Sequence, residues 1–95
     1  MAFTFFTAAT ANGSSPALQR NPDDRETRKG MLYITGTFNS CTVTVEVSKD
    51  GTNYFAVNSA AYTAQQVSVF EWYAKYMRLT ISSAGASTSI NAWIE

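Results

Sequence analysis

The sequence predicts an all-β chain, an antiparallel β-sandwich of Ig-like or jelly-roll-like type with about seven or eight short strands. Three observations carry this. Residues 31–48 and 75–94 alternate apolar and polar side chains with a period of two, the pattern of half-buried strands. Turn-forming clusters separate the alternating runs, at Asn39-Ser40, Lys49-Asp50-Gly51 and Ala84-Gly85-Ala86-Ser87. No stretch shows the apolar spacing of a long amphipathic helix.

In chain order, residues 1–15 are expected as an N-terminal strand or arm with its linker, and residues 16–95 as one sandwich domain. Phe3, Phe5 and Phe6, with Thr4 and Thr7, read as a first strand, and Ala8–Pro16 is small, polar and turn-rich. Two readings fit the strand: an edge strand on the domain's own core, or an arm that adds a strand to a neighbouring subunit. Residues 20–29 hold seven of the chain's fourteen charged residues, four positive and three negative, without periodicity. They read either as a solvated loop or as a polar contact loop that orients a charged partner. The carboxylates of Asp23, Asp24 and Glu26 match no calcium-loop spacing.

Met31–Ser48 reads as a hairpin closed by a two-residue turn at Asn39-Ser40. That register sets Phe38 against Cys41, Gly36 against Val43, Ile34 against Val45 and Leu32 against Val47, all on one face. A loop of Lys49-Asp50-Gly51 then puts Ser48 opposite Thr52, Val45 opposite Phe55 and Val43 opposite Val57, giving a three-stranded meander over 31–57. Asn58–Gln65 is expected as a loop crossing between sheets, followed by a strand over Val67–Trp72. Lys75–Ser83 points Met77, Leu79 and Ile81 inward, and Thr88–Ile94 does the same with Ile90, Ala92 and Ile94. A hairpin between these two sets Ile81 opposite Ile90, Leu79 opposite Ala92, and Arg78 opposite Trp93 on the outer face, where guanidinium and indole would stack.

Composition narrows the function. The formal net charge is zero, and nothing in the sequence suggests a basic groove for nucleic acid or an acidic tail. It has no histidine, which removes the commonest general base and metal ligand, and no phosphate loop, ligand cluster or dinucleotide fingerprint appears. The expectation is a non-enzyme with no cofactor and no metal. Glu46 and Glu71 could be imagined as a glycosidase pair, but outward strand glutamates are usually solvent-facing. The single cysteine, Cys41, falls on the inward face and behaves there as a small hydrophobe, with no internal disulfide possible. No apolar run approaches the ~20 residues of a membrane span. Residues 2–11 lack the basic flank and unbroken apolar core of a signal peptide. Tyr33, Tyr54, Trp72, Tyr73, Tyr76 and Trp93 fall outward or ambiguous, and a contiguous row of Tyr33, Trp72, Tyr73 and Trp93 would favour stacking on sugars.

The run from Gly36 to Tyr54, GTFNSCTVTVEVSKDGTNY, resembles a pattern of small β-sandwich virion proteins of tailed bacteriophages, G-T-F-x-G-A-T-V-x-L-x-x-S-x-D-G-x-x-W followed by a Y-x-R-L strand. Tyr76-Met77-Arg78-Leu79, the close Ser89–Glu95 and the opening MAFTFFTAATANGSS are similar to that family as well. Ser40-Cys41 stand where Gly-Ala is typical, and Tyr54 where tryptophan is. The resemblance implies a structural part of the virion: a capsid decoration or cement protein, or a tail or head-tail component. Implied partners are the major capsid protein or other virion proteins and further copies of the chain, with no nucleic acid and no membrane. The contact regions expected are the N-terminal Phe3, Phe5 and Phe6 and the charged-loop Arg20, Asp24, Arg25 and Arg28. The competing reading is a carbohydrate-binding module used in adsorption.

Overall fold

The computed structural model describes residues 3–19, 28–72 and 74–95. They form nine strands: β1 (Phe3–Ala9), β2 (Gly13–Ser14), β3 (Leu18–Gln19), β4 (Arg28–Thr37), β5 (Thr42–Ser48), β6 (Tyr54–Tyr62), β7 (Gln66–Trp72), β8 (Tyr76–Ser82) and β9 (Ser89–Ile94). One sheet, A, has the order β1-β9-β4-β7, and the other, B, the order β2-β8-β5-β6 with β3 also on β8. All pairs are antiparallel.

The pairing is nested about the loop at Asp50-Gly51. Ser48 meets Tyr54, Arg28 meets Trp72, Gly13 meets Ile81 and Phe3 meets Ile94. The chain is thus one long antiparallel ribbon folded back at Gly51. Rolling that ribbon adds the β4–β9 and β5–β8 contacts and splits it into two sheets. This is jelly-roll connectivity, which resolves the alternatives left open by the sequence.

The alternating residues supply the core. Leu32, Ile34, Val43, Val45, Met77, Leu79, Ile81, Ile90 and Ala92 are all essentially sealed from solvent, and Phe5, Phe38, Cys41, Ala60 and Ile94 close the ends. Every inward position expected on the last two strands is buried.

Their partners differ from expectation. Leu32 and Ile34 do not pair with Val47 and Val45: β4 runs between β7 and β9 in sheet A, and β5 between β6 and β8 in sheet B. The Asn39-Ser40 turn does form. Both residues take positive φ (45° and 74°), and the Cys41 N–H donates to the Phe38 carbonyl at 2.9 Å. It serves as a corner between sheets instead of a hairpin within one. Alternation cannot separate these cases, because apolar faces set side by side and apolar faces set face to face exclude the same water. The same reason overturns the Ile81–Ile90 and Leu79–Ala92 pairs, since β8 and β9 lie in different sheets.

The expected meander over 31–57 reduces to the β5–β6 hairpin, and its register moves by two residues. Val47 faces Phe55, and Ser48 faces Tyr54. Hydrogen bonding explains the longer loop. The buried Ser48 hydroxyl accepts the Asp50 and Gly51 N–H groups at 3.2 and 2.9 Å. The Asp50 carboxylate accepts those of Thr52 and Asn53, both at 2.9 Å. Residues 49–53 are tied up locally and cannot join the ladder. Beyond a bulge, β6 continues to Tyr62, so part of the loop expected over 58–65 is strand, and the crossing to sheet A falls at 63–65.

These N–H donors hold the Asp50 carboxyl well below its ordinary 3.8, the Asn53 and Thr52 amides contributing most. Its stabilising effect is complete above that ordinary value and is lost as pH falls below it. Asp50→Asn is therefore expected to be less stable than the parent at neutral pH, with the gap narrowing as pH drops below about 4 in denaturant titrations.

At the corner, the Thr88 hydroxyl donates to the Phe38 carbonyl and accepts from the Gly85 N–H, both at 2.8 Å. It joins the β4–β5 corner to the β8–β9 turn. Gly85 sits so close to Asn39 that a Cβ would lie 2.5 Å from the Asn39 carbonyl oxygen. Thr88→Val keeps the shape but leaves the part-buried Gly85 N–H without its acceptor and the Phe38 carbonyl with the Cys41 N–H alone; chemical denaturation should register a loss of about 1–3 kcal/mol.

Candidate interaction surfaces

With the inner faces committed to the core, function is left to the outer faces, the edges and the loops. The outer face of sheet B is polar and self-satisfied. Glu46 and Arg78 face each other across β5 and β8, and the Arg78 Nε donates to Glu46 Oε1 at 2.8 Å. The same carboxylate oxygen accepts the Thr80 hydroxyl at 2.8 Å, and Thr80 shares a 3.0 Å hydrogen bond with Ser14. The Arg78 guanidinium lies 3.8 Å from the centre of the Tyr54 ring. Arg78 does stack on an aromatic, but on Tyr54 and not on Trp93, because Trp93 belongs to the other sheet.

The outer face of sheet A is different. One cross-strand row reads Thr4, Trp93, Tyr33, Val67 across all four strands. Tyr33 and Trp93 stack with centroids 4.9 Å apart and planes 10° from parallel. Met31 pairs with Val69 in the next row of β4 and β7. Val67 and Val69 are 52% and 62% exposed. With Tyr33, Trp93 and Met31 they make an apolar band that, among the described residues, nothing covers.

Among the described residues, the third strongly exposed large apolar side chain is Phe55, 68% exposed. It pairs with Val47, which pairs with the buried Met77, so Phe55 carries the inward parity yet projects beyond the sandwich from edge strand β6. Val67, Val69 and Phe55 thus lie on β7 and β6, the edge strands on one flank of the two sheets.

The residues expected to make contacts are dispersed. Phe5 is a core residue, 3% exposed, and meets Phe3 edge-on at 5.0 Å. Phe6 and Phe3 are partly buried against the core. Residues 3–9 form an edge strand on β9, and 13–14 pair with β8. Arg20, Asp24 and Arg25 fall outside the described residues, and Arg28 opens β4 in register with Trp72. Of the aromatic row, Tyr33 and Trp93 come together but cover each other's faces, and Tyr73 lies outside the described residues. Glu46 and Glu71 sit on strands of opposite sheets and are not brought together.

Cys41 is buried, and burial pushes its thiol above the ordinary 9.0, with the Thr88 side chain pulling the other way. It is a shielded thiol, not a poised nucleophile. The described residues hold no cluster of three or more metal-ligating side chains.

Val67 and Val69 were not legible as surface residues. Val67-Ser68-Val69-Phe70 offers apolar side chains to both faces, so only the pairing partner decides which face is outward.

Comparison with known proteins finds no matching family model, curated sequence or solved structure.

Proposed function

We propose that this chain is a non-enzymatic structural protein of a tailed-phage virion, a decoration or cement protein that binds the capsid lattice in many copies. The observation that carries the reading is the Gly36–Tyr54 run with its Y-x-R-L companion at Tyr76–Leu79, both similar to that family. The surfaces are compatible with it. A sandwich with its ionic groups paired on sheet B and an apolar band on sheet A has a face suited to repeated docking. Jelly rolls occur in viral capsid proteins and in lectins alike, so the fold supports the class of reading without selecting a role.

The mechanism follows from avidity. Each copy makes a modest contact, and a lattice of identical sites multiplies it. The protein would be made in the host cytoplasm and retained in the virion. Electron cryomicroscopy of virions from the source phage tests this directly. Sandwich-sized density repeated at lattice positions is expected; its absence from the capsid surface would sink the cement role, and density confined to the tail or connector would move the assignment there. Binding of the purified chain to a glycan array would favour the adsorption reading.

A further inference from the structure

We infer that the outer side of β9 and the core socket beside it, filled in the structure by β1, also accept β1 of a second copy, so that two chains associate by exchanging their first strands. Such exchange is a property of the chain in solution and does not depend on the virion reading.

Strand β1 is docked as a separable part. Its ladder to β9 is interrupted by two register shifts, one on each side of Phe6. Ala8, inside the second break, holds φ at 48°, a left-handed value unfavourable for a residue with a side chain. Its N–H donates to the Asn91 side chain at 2.9 Å. Residues 1–19 carry no charged side chain, so no side-chain ion pair ties β1 to its own chain and no like charge keeps it from another. What holds it is Phe5, 3% exposed, with Phe3 and Phe6 packed partly against the core. Those contacts are made to β9 and to the core, and they are the same whichever copy supplies the strand.

The link to the rest of the chain decides which copy supplies it. β1 lies in sheet A and β2 in sheet B, with the exposed Thr10, Ala11 and Asn12 between them. Ala9 and Gly13 are four Cα steps apart. That is at most roughly 13–14 Å of chain against the ~10 Å between stacked sheets. The crossing has little slack, and Asn12 is pinned at its far end, where its Oδ1 accepts the Ala84 N–H at 2.8 Å. Short hinges of this kind favour exchange over closure within one chain. In an exchanged pair both strands regain a socket, so their contacts cancel. The balance is then set by the effective concentration that the link provides, on the order of mM for a short one. The exchanged dimer therefore accumulates as the chain concentration approaches that level.

Sedimentation velocity of a variant with Thr10 and Ala11 deleted tests the exchange. The chain left between Ala9 and Gly13 then spans roughly 7 Å, too short to cross between the sheets. The dissociation constant should fall from on the order of mM in the parent to micromolar or below. A four-residue Gly-Ser insertion at the same place should return the variant to a monomer. A second measurement leaves the linker intact. Thr4 and Trp93 face each other across β1 and β9. Directly facing residues have Cα atoms roughly 4.5–5.5 Å apart, within disulfide range. Thr4→Cys chains mixed with Trp93→Cys chains at about 1 mM should oxidise chiefly to the mixed dimer, since only an exchanged β1 brings the two cysteines together. Cys41, 1% exposed, does not compete. A deletion variant that folds and stays monomeric would overturn the inference. So would a mixed disulfide no more abundant than random pairing gives, and that result decides alone if the deletion prevents folding.

Discussion

Gly36→Ala is expected to destabilise the fold by about 2–5 kcal/mol, the sum of a left-handed backbone penalty and a steric one. Gly36 holds φ at 117°, a conformation that side-chain-bearing residues rarely adopt. It also lies where β4 meets β9, opposite Ile90, and a Cβ there would be driven into the Ser89 carbonyl oxygen. Backbone cannot move aside as a flexible side chain can, so relief requires the β4–β9 ladder to shift. Because Gly36 opens the corner that carries the chain to sheet B, such a shift acts on both sheets. For a domain of this size the melting temperature should fall by roughly 10–30 °C. Thr37→Ala, at an exposed neighbouring position, is the control and should change little. A Gly36→Ala protein that melts with the parent would contradict the strain argument.

Phe5→Ala carries the second large effect, about 3–5 kcal/mol. Phe5 is the one fully inward side chain of β1, and it fills the core from an edge strand held only by β9. Truncation leaves a cavity that the sheet cannot close without losing the strand. The result also separates the two readings of the N-terminus. As an edge strand of its own domain, β1 contributes to the stability of the isolated chain at any concentration. As an arm serving a neighbour, it would leave monomer stability untouched by Phe5→Ala, with the loss appearing only in assembled material. Urea titration at low protein concentration distinguishes them, and the buried position of Phe5 predicts the first outcome.

The fold class and most of the core were legible because they depend on local period. Met77, Leu79 and Ile81 alternate with polar neighbours whatever strand lies beside them, and all three are buried. Pairing depends on which apolar faces meet at distance, and the residues of a tight turn do not encode that. Asn39-Ser40 makes the same 2.9 Å hydrogen bond as a hairpin turn while the strands on either side part company. The β5–β6 register failed for a local reason. The Ser48 and Asp50 side chains capture backbone donors that a shorter loop would have left to the ladder. The interaction surface was the least legible part. Phe55 has core parity and is exposed because β6 is an edge strand, while Val67 is exposed because its pairing with Tyr33 turns it to the outer face of an edge strand. Tyr33 and Trp93 were legible as outward aromatics, but their mutual stacking required β4 and β9 to be neighbours.

Everything rests on the ribbon being rolled so that β4 and β5 face each other from opposite sheets. Interstrand backbone NOEs measure this without ambiguity, because neighbouring strands lie ~4.8 Å apart and stacked sheets ~10 Å. The rolled fold predicts cross-strand contacts between Ile34 and Ala92 and between Val45 and Leu79. Backbone NOEs joining Ile34 to Val45 and Leu32 to Val47 would show a flat hairpin and contradict it.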